Sequence, residues 1–222
     1  MRPCHRPVLL LGSGCGLVSG GPSGGPSDVD SLVGHIERVY VEAELARQEC
    51  RGSVQMLQGL VARDFDGDPV AVYQAYAEAV ARTKAQVAKL EREYWAMKNV
   101  GDPIFERWTE DLISMHNPEM RRRSQERLDD IRGRYDRVVR AFGPLLSSCV
   151  KLDLGLEDHK LFLANDFNAS ALASLQGEVQ VLVDLSMEID GRFADSLRAA
   201  RDYLDVTALP TREPAVANPP GK

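Results

Sequence analysis

The chain has 222 residues, 44% of them hydrophobic and 27% charged, with a formal net charge of -6. Those totals fit one folded domain with tails, and the acidic balance argues against nucleic acid as a partner. No apolar run reaches the ~20 residues that a bilayer crossing needs, and the four cysteines, Cys4, Cys15, Cys50 and Cys149, include no CxxC pair that would suggest zinc or redox chemistry.

Residues 1–27 read as a targeting segment followed by a linker. Arg2 and Arg6 precede an apolar patch, Val8 to Leu11, then come Gly12, Ser13, Gly14 and Cys15. This order resembles a bacterial lipoprotein signal, in which the cysteine after small residues becomes the acylated N-terminus. The apolar patch is shorter than the usual ~7–15 residues, and Leu11 stands one step further from the cysteine than is usual. Gly12, Gly14 and Gly16 are not a dinucleotide loop, because no strand precedes them and no helix follows. Gly16 to Ser27 is rich in Gly, Pro and Ser, the composition of a flexible tether.

The first helix is expected from about Val29 to Arg63, with Asp28 as its cap. Its apolar seam is Val29, Leu32, Ile36, Val39, Ala43, Ala46, Cys50, Ser53, Leu57 and Leu60, in alternating steps of three and four. The small residues in its middle let a neighbouring helix approach closely. The turn Asp64-Phe65-Asp66-Gly67-Asp68-Pro69 has aspartates at alternate positions, but a calcium loop would need a glycine where Pro69 stands and a glutamate where Ala75 stands. Asp68 as cap and Pro69 as first helical residue account for it without a metal.

The second helix carries Tyr73, Tyr76, Val80, Thr83, Val87, Leu90, Tyr94 and Met97. Its phase slips by one residue at Gly101-Asp102-Pro103 before Phe105, Trp108, Leu112 and Met115 resume it, so a kink or short break is expected there. Asn117-Pro118-Glu119 reads as cap, first-position proline and acidic first turn. The third helix then carries Leu128, Ile131, Tyr135, Val138, Phe142, Leu145, Cys149 and Leu152, with a bend expected near Pro144. Near Gly155 the pattern blurs. Asn168 caps the fourth helix, where Leu172, Leu175, Val179, Leu182, Ser186, Ile189, Phe193, Ser196, Ala200 and Tyr203 keep the alternating step throughout. Residues 206–222, with four prolines, read as a disordered tail.

Four seams joined by short turns predict an all-α fold: an elongated antiparallel four-helix bundle, or coiled coil, over residues 28–205. The middle helices are longer than the outer pair, so they are expected to overshoot as a two-helix hairpin, about 100–125, pointing the same way as the N-terminal tether. Cys50 lies about 16 residues from the first turn and Cys149 about 17 from the last, which puts them in one layer. In an oxidising compartment they are candidates for a disulfide; if the first and third helices are diagonal, two buried free thiols are expected instead.

No constellation for catalysis emerges. His5, His35, His116 and His159 form no ligand set, no Glu-x-x-His pair is present, and neither a GxSxG elbow nor a GxxxxGK[ST] phosphate loop occurs. No metal or cofactor is therefore expected. Near the hairpin tip, Arg121, Arg122 and Arg123 offer a basic run for phosphate or anionic lipid, although residues 102–130 hold eight acids against five arginines. Phe105 and Trp108 are candidates for an exposed contact surface if the hairpin leaves them uncovered; the other reading is that they seal its seam.

The segments FERWTEDL, RRRSQERL and RYDRVV, the proline before Leu145-Leu146, and NDFNASALASLQGE resemble a family of proteobacterial proteins catalogued only as a domain of unknown function and often labelled lipoproteins. The likeness covers about Val29 to Asp205. Where that family usually reads lysine-histidine-asparagine, this chain has Leu163-Ala164-Asn165. The resemblance implies an all-helical, envelope-associated protein and supplies no activity. Together these readings give a non-enzymatic scaffold or interaction protein, membrane-attached through Cys15 on the periplasmic face, with a protein partner still to be identified. The alternative is a cytoplasmic coiled-coil component of a nucleic-acid or membrane-remodelling assembly, which an exported-phosphatase fusion distinguishes.

Overall fold

A computed structural model describes residues 26–62 and 68–207. It holds five helices and, among the described residues, no strand: α1 (Pro26–Leu60), α2 (Pro69–Ser114), α3 (Pro118–Asn165), α4 (Ala169–Ser174) and α5 (Gln176–Thr207). Residues 1–25, with Cys4 and Cys15, the turn 63–67 and the tail 208–222 lie outside the described residues, as do the expectations that fall on them.

The alternating seams form the core. From Leu32 to Leu60, every α1 seam residue is buried, as are the α3 seam residues from Leu128 to Leu152. In α2, Tyr76 through Met97 are buried, and after the phase slip Ile104, Phe105 and Leu112 continue the core. A strip of apolar side chains three to four residues apart can leave water only by facing similar strips. α1 therefore lies beside α2 and α5, and α3 beside the same two. α1 and α3 face each other across the middle, with Cα atoms within 8 Å in places. The cross-section is a rhombus with α1 and α3 on its short diagonal.

Polar pairs fix the register. Arg38 reaches Glu93 at 3.3 Å and Arg82 reaches Glu49 at 3.4 Å, which sets α1 antiparallel to α2. The Tyr76 and Tyr94 hydroxyls donate to the carbonyls of Leu156 and Val139, which sets α2 against α3. Arg47 grips Asp190 with two bonds of 2.6 and 2.9 Å, and Arg51 adds a third contact at 2.5 Å, which fixes α1 against α5.

Several local expectations need correction. α1 begins at Pro26, so Asp28 lies inside its first turn rather than capping it; proline suits that first position because its missing N–H would be unpaired there anyway. The helix also ends three residues early, at Leu60. Asp68 does cap α2, its carboxylate accepting the Val70 N–H at 3.0 Å, and Asn117 caps α3 through the N–H groups of Glu119 and Met120. α2 runs without a break through Gly101-Asp102-Pro103. Pro103 is on the solvent side, where water can satisfy the one carbonyl it orphans. Beside it the Tyr135 hydroxyl donates to Asp102 at 2.7 Å and holds the strip in place. α3 likewise runs on through Pro144 and Gly155. A Cβ on Gly155 would lie 2.6 Å from Leu182 of α5, so the blurred pattern there marks a close helix approach.

The predicted fourth helix is two. Asn168 caps α4 as expected, accepting from Ser170 and Ala171. The ladder then tightens at Leu175, whose N–H bonds the carbonyl three residues back, Leu172. The Ser174 hydroxyl takes the Ala171 carbonyl at 2.7 Å, competing with the backbone at that turn. In consequence Ala171 is buried and Leu172 only half-buried.

The overshoot is present but shorter than expected. Arg127 donates to the Val206 carbonyl in the last turn of α5, so α5 ends level with Arg127 of α3. Pro26 lies just over three turns before Arg38, which places the start of α1 near residue 105 of α2. Among the described residues the bare part of the hairpin is thus about 106–126 rather than 100–125. It sits at the end where α1 begins.

Candidate functional site

The two features singled out in the sequence lie at different levels of the bundle. At the prong, Phe105 is 2% exposed, its ring 5.0 Å from that of Tyr135. Trp108 is half-buried and donates its indole N–H to the Ser124 hydroxyl at 2.9 Å. Neither is an exposed anchor; with Leu112, Leu128 and Ile131 they seal the two-helix seam. Two helices alone can cover only part of each other, which leaves Trp108 half-buried. The exposed apolar side chains of the prong are instead Ile113, at 79%, and Met120, at 62%. Both fall off the seam, and their only sequence signal was being apolar at positions the alternating step assigns to solvent.

The arginine run is largely neutralised by its own helix. Arg122 pairs with Glu119 at 2.8 Å and with Glu126 at 2.6 Å, and Arg123 pairs with Glu119 at 2.9 Å, at spacings of three and four residues. The Arg122 and Arg123 hydrogen bonds hold the Glu119 carboxyl below its usual range. Arg121 is exposed. This is a solvated, internally paired face rather than a concentrated positive field.

The second feature lies in the middle of the bundle. Cys50 of α1 and Cys149 of α3 are 2% and 0% exposed, both free, and close enough for the one thiol to act on the other. The expectation that a diagonal placement would separate them fails. The helices are diagonal, but this level is built from small side chains. Thr83 of α2 fills the adjoining position, its hydroxyl 2.6 Å from that of Ser53 and donating to the Glu49 carbonyl at 3.0 Å. Small seam residues of α1 and α2 lie at this level, and α1 and α3 approach to within 8 Å between Cα atoms in places.

The Cys149 thiol and burial push the Cys50 thiol well above its ordinary range, and the nearby Asp153 adds to this. Burial also raises Asp153, and its Oδ1 has no hydrogen-bond partner among the described residues. A reactive cysteine needs the reverse, a cation or helix N-terminus that favours the thiolate. The environment therefore describes a quiet thiol in the folded, reduced state.

Elsewhere the polar groups are structural. The Arg47 hydrogen bond, opposed by partial burial and helped by Arg51, holds the Asp190 carboxyl down at about 2. Burial works to raise Glu42, but Lys89 and Gln86 outweigh it and its pKa is lowered. The Ser196 and Tyr203 hydroxyls are buried without a partner among the described residues. No group of three or more His, Cys, Asp or Glu side chains placed to hold a metal occurs among the described residues. The calcium-loop question falls on the undescribed turn 63–67, save that Asp68 is engaged as the cap of α2.

A cavity of about 490 Å3 opens at the turn end, lined by Val61, Phe167, Leu172 and Gln176 among others and by no ionisable side chain. A smaller one, about 230 Å3, lies on the outer α2–α3 face beside the half-exposed Trp95. Neither gathers the convergent polar groups that define a small-molecule or catalytic site.

The molecule is thus defined by its packing, as a helical bundle with a protruding hairpin and a thiol pair at its waist. The chain belongs to the family described as "Protein of unknown function (DUF2959)", whose model matches residues 23–204. No curated protein and no solved structure matches it.

Proposed function

We propose that this protein is a non-enzymatic helical scaffold of the bacterial envelope, anchored through a lipid on Cys15 and presenting its bundle and hairpin to a protein partner. The observation that carries this reading is the order Arg2, Arg6, Val8–Leu11, Gly12-Ser13-Gly14, Cys15, followed by a Gly/Pro/Ser stretch that reaches α1. The position of the prong agrees with it, since the prong lies at the same end of the bundle as Pro26, on the side from which such a tether would run. No described helix is long and apolar enough to cross a membrane, so attachment falls to the N-terminal segment in this reading. The proteobacterial and lipoprotein character implied by the sequence resemblance belongs to the same proposal.

The test is Cys15→Ala together with globomycin treatment. Loss of membrane fractionation in the variant and a mass shift under globomycin are expected. An unchanged mass and an unchanged fraction would remove the anchor. A phosphatase fused at the C-terminus should be active; an inactive fusion would place the chain in the cytoplasm and favour the coiled-coil alternative.

A further inference from the structure

We propose that Cys50 and Cys149 form a disulfide that joins α1 to α3 through the middle of the bundle. The Arg38–Glu93 and Arg82–Glu49 pairs across α1 and α2, and the Tyr76–Leu156 and Tyr94–Val139 bonds across α2 and α3, bring Cys50 and Cys149 to the same level of the bundle, where both are almost fully enclosed beside the small Ser53 and Thr83. The short diagonal of the rhombus supplies that separation, with α1 and α3 Cα atoms within 8 Å in places. Cysteines 50 and 149 enclose all of α2 and the hairpin, and a closed loop of that length removes much of the freedom of the unfolded chain. α1 and α3 otherwise meet only through core side chains, so the bond would tie together two helices that no turn connects.

The chemistry is dithiol–disulfide exchange. One cysteine, as thiolate, attacks the disulfide of an oxidant, either oxidised glutathione or a protein of the thiol–disulfide oxidoreductase class. The oxidant's S–S bond breaks and one of its sulfurs leaves as thiolate. The second cysteine, as thiolate, then attacks the mixed disulfide and expels the oxidant's other sulfur. The protein pair loses two electrons, the oxidant's disulfide gains them, and the two protons end on the oxidant's thiols. Because the folded interior disfavours the thiolate, exchange belongs to the stage before α1 and α3 dock, or to openings of the bundle. The bond rests on the geometry; its presence in the cell rests on the exported location proposed above.

The full chain, reduced and unfolded, should be refolded in a glutathione redox buffer, its free thiols blocked, and the digest mapped without reduction. A linked pair of peptides carrying Cys50 and Cys149, about 2 Da lighter than their sum, is expected. The oxidised protein should keep its helical circular dichroism and melt several degrees above the reduced form. Recovery of both cysteines as blocked free thiols would overturn the proposal, and so would pairing of either one with Cys4 or Cys15. Loss of helicity on oxidation would overturn it too. Cys50→Ala and Cys149→Ala, either of which keeps a small core side chain, should each abolish the linked peptide and the melting difference. Thiol trapping of the protein from its native cells separates the two readings. A linked pair supports both, whereas a pair linked in the glutathione buffer but free in cells supports the bond and counts against export.

Discussion

The waist and the prong of this molecule obey one seam pattern and solve opposite packing problems. At the waist four helices converge, and the seam residues are small: Ala46, Cys50, Ser53, Thr83, Cys149. Toward the prong, where α1 begins and α5 ends, the seam residues are large: Phe105, Leu128 and Tyr135 at its root, and Trp108 and Leu112 where two helices run on alone. Side-chain volume thus changes from level to level along one seam, with Tyr76, Phe142, Phe193 and Tyr203 filling other levels of the four-helix body, because interiors are close-packed and each level must be filled to the same density.

The sharpest way to break this comparison is to empty one level of each region. Phe142, fully buried and stacked on Tyr94 in the four-helix body, should cost about 3–5 kcal/mol of global stability as Phe142→Ala in denaturant unfolding. Phe105→Ala should cost less and loosen mainly the prong. If the two substitutions act alike on the global transition, body and prong are one cooperative unit.

Next comes a pair of glycines on the hairpin helices. Alanine is the better helix former by about 1 kcal/mol, so Gly133→Ala, where the added carbon meets nothing within 4 Å, should stabilise by about that amount. At Gly101 the same carbon would lie 2.7 Å from the Tyr135 ring, which Asp102 and Phe105 hold on either side. Gly101→Ala should therefore destabilise by about 1–3 kcal/mol; a gain in melting temperature there would contradict the packing described at the root of the prong.

The ion pairs separate the regions in the same way, with smaller effects. Asp190 is partly buried between Arg47 and Arg51, and its folded-state pKa of about 2 lies below the ordinary 3.8. Its contribution is therefore complete above the unfolded pKa and is lost as pH falls through about 2. Asp190→Asn should cost about 1–2 kcal/mol at neutral pH, less than the full shift because solvent screens the pair. The difference from the unsubstituted chain should vanish in acid. On the prong, Arg122→Ala should leave the denaturant midpoint almost unchanged, since its partners are exposed and on its own helix.

Much of this architecture was legible in the sequence because a helix seam is a local, periodic signal. The positions from Leu32 to Leu60 and from Leu128 to Leu152, the caps Asp68, Asn117 and Asn168, and the common layer of Cys50 and Cys149 all follow from spacing and capping chemistry. What spacing cannot carry is distance between helices that are not sequence neighbours. The close diagonal of α1 and α3 brings together small residues of separate segments, Cys50 and Ser53 of α1, Thr83 of α2 and Cys149 of α3. The break at Leu175 depends on one serine hydroxyl competing for one carbonyl, which the uninterrupted apolar step conceals. Phe105 and Trp108 drew attention as aromatics in a two-helix segment, yet their place on the stripe is what buries them, while Ile113 and Met120 lie off the stripe and are exposed.

Amide hydrogen exchange resolved along the chain tests the contrast between body and prong most directly. The account predicts that seam amides in 32–60 and 135–152 exchange only through global unfolding, while those in 106–126 exchange at least roughly tenfold faster through local opening. Equal protection in the two regions would mean that the prong is covered or cooperative with the body, and would contradict the account.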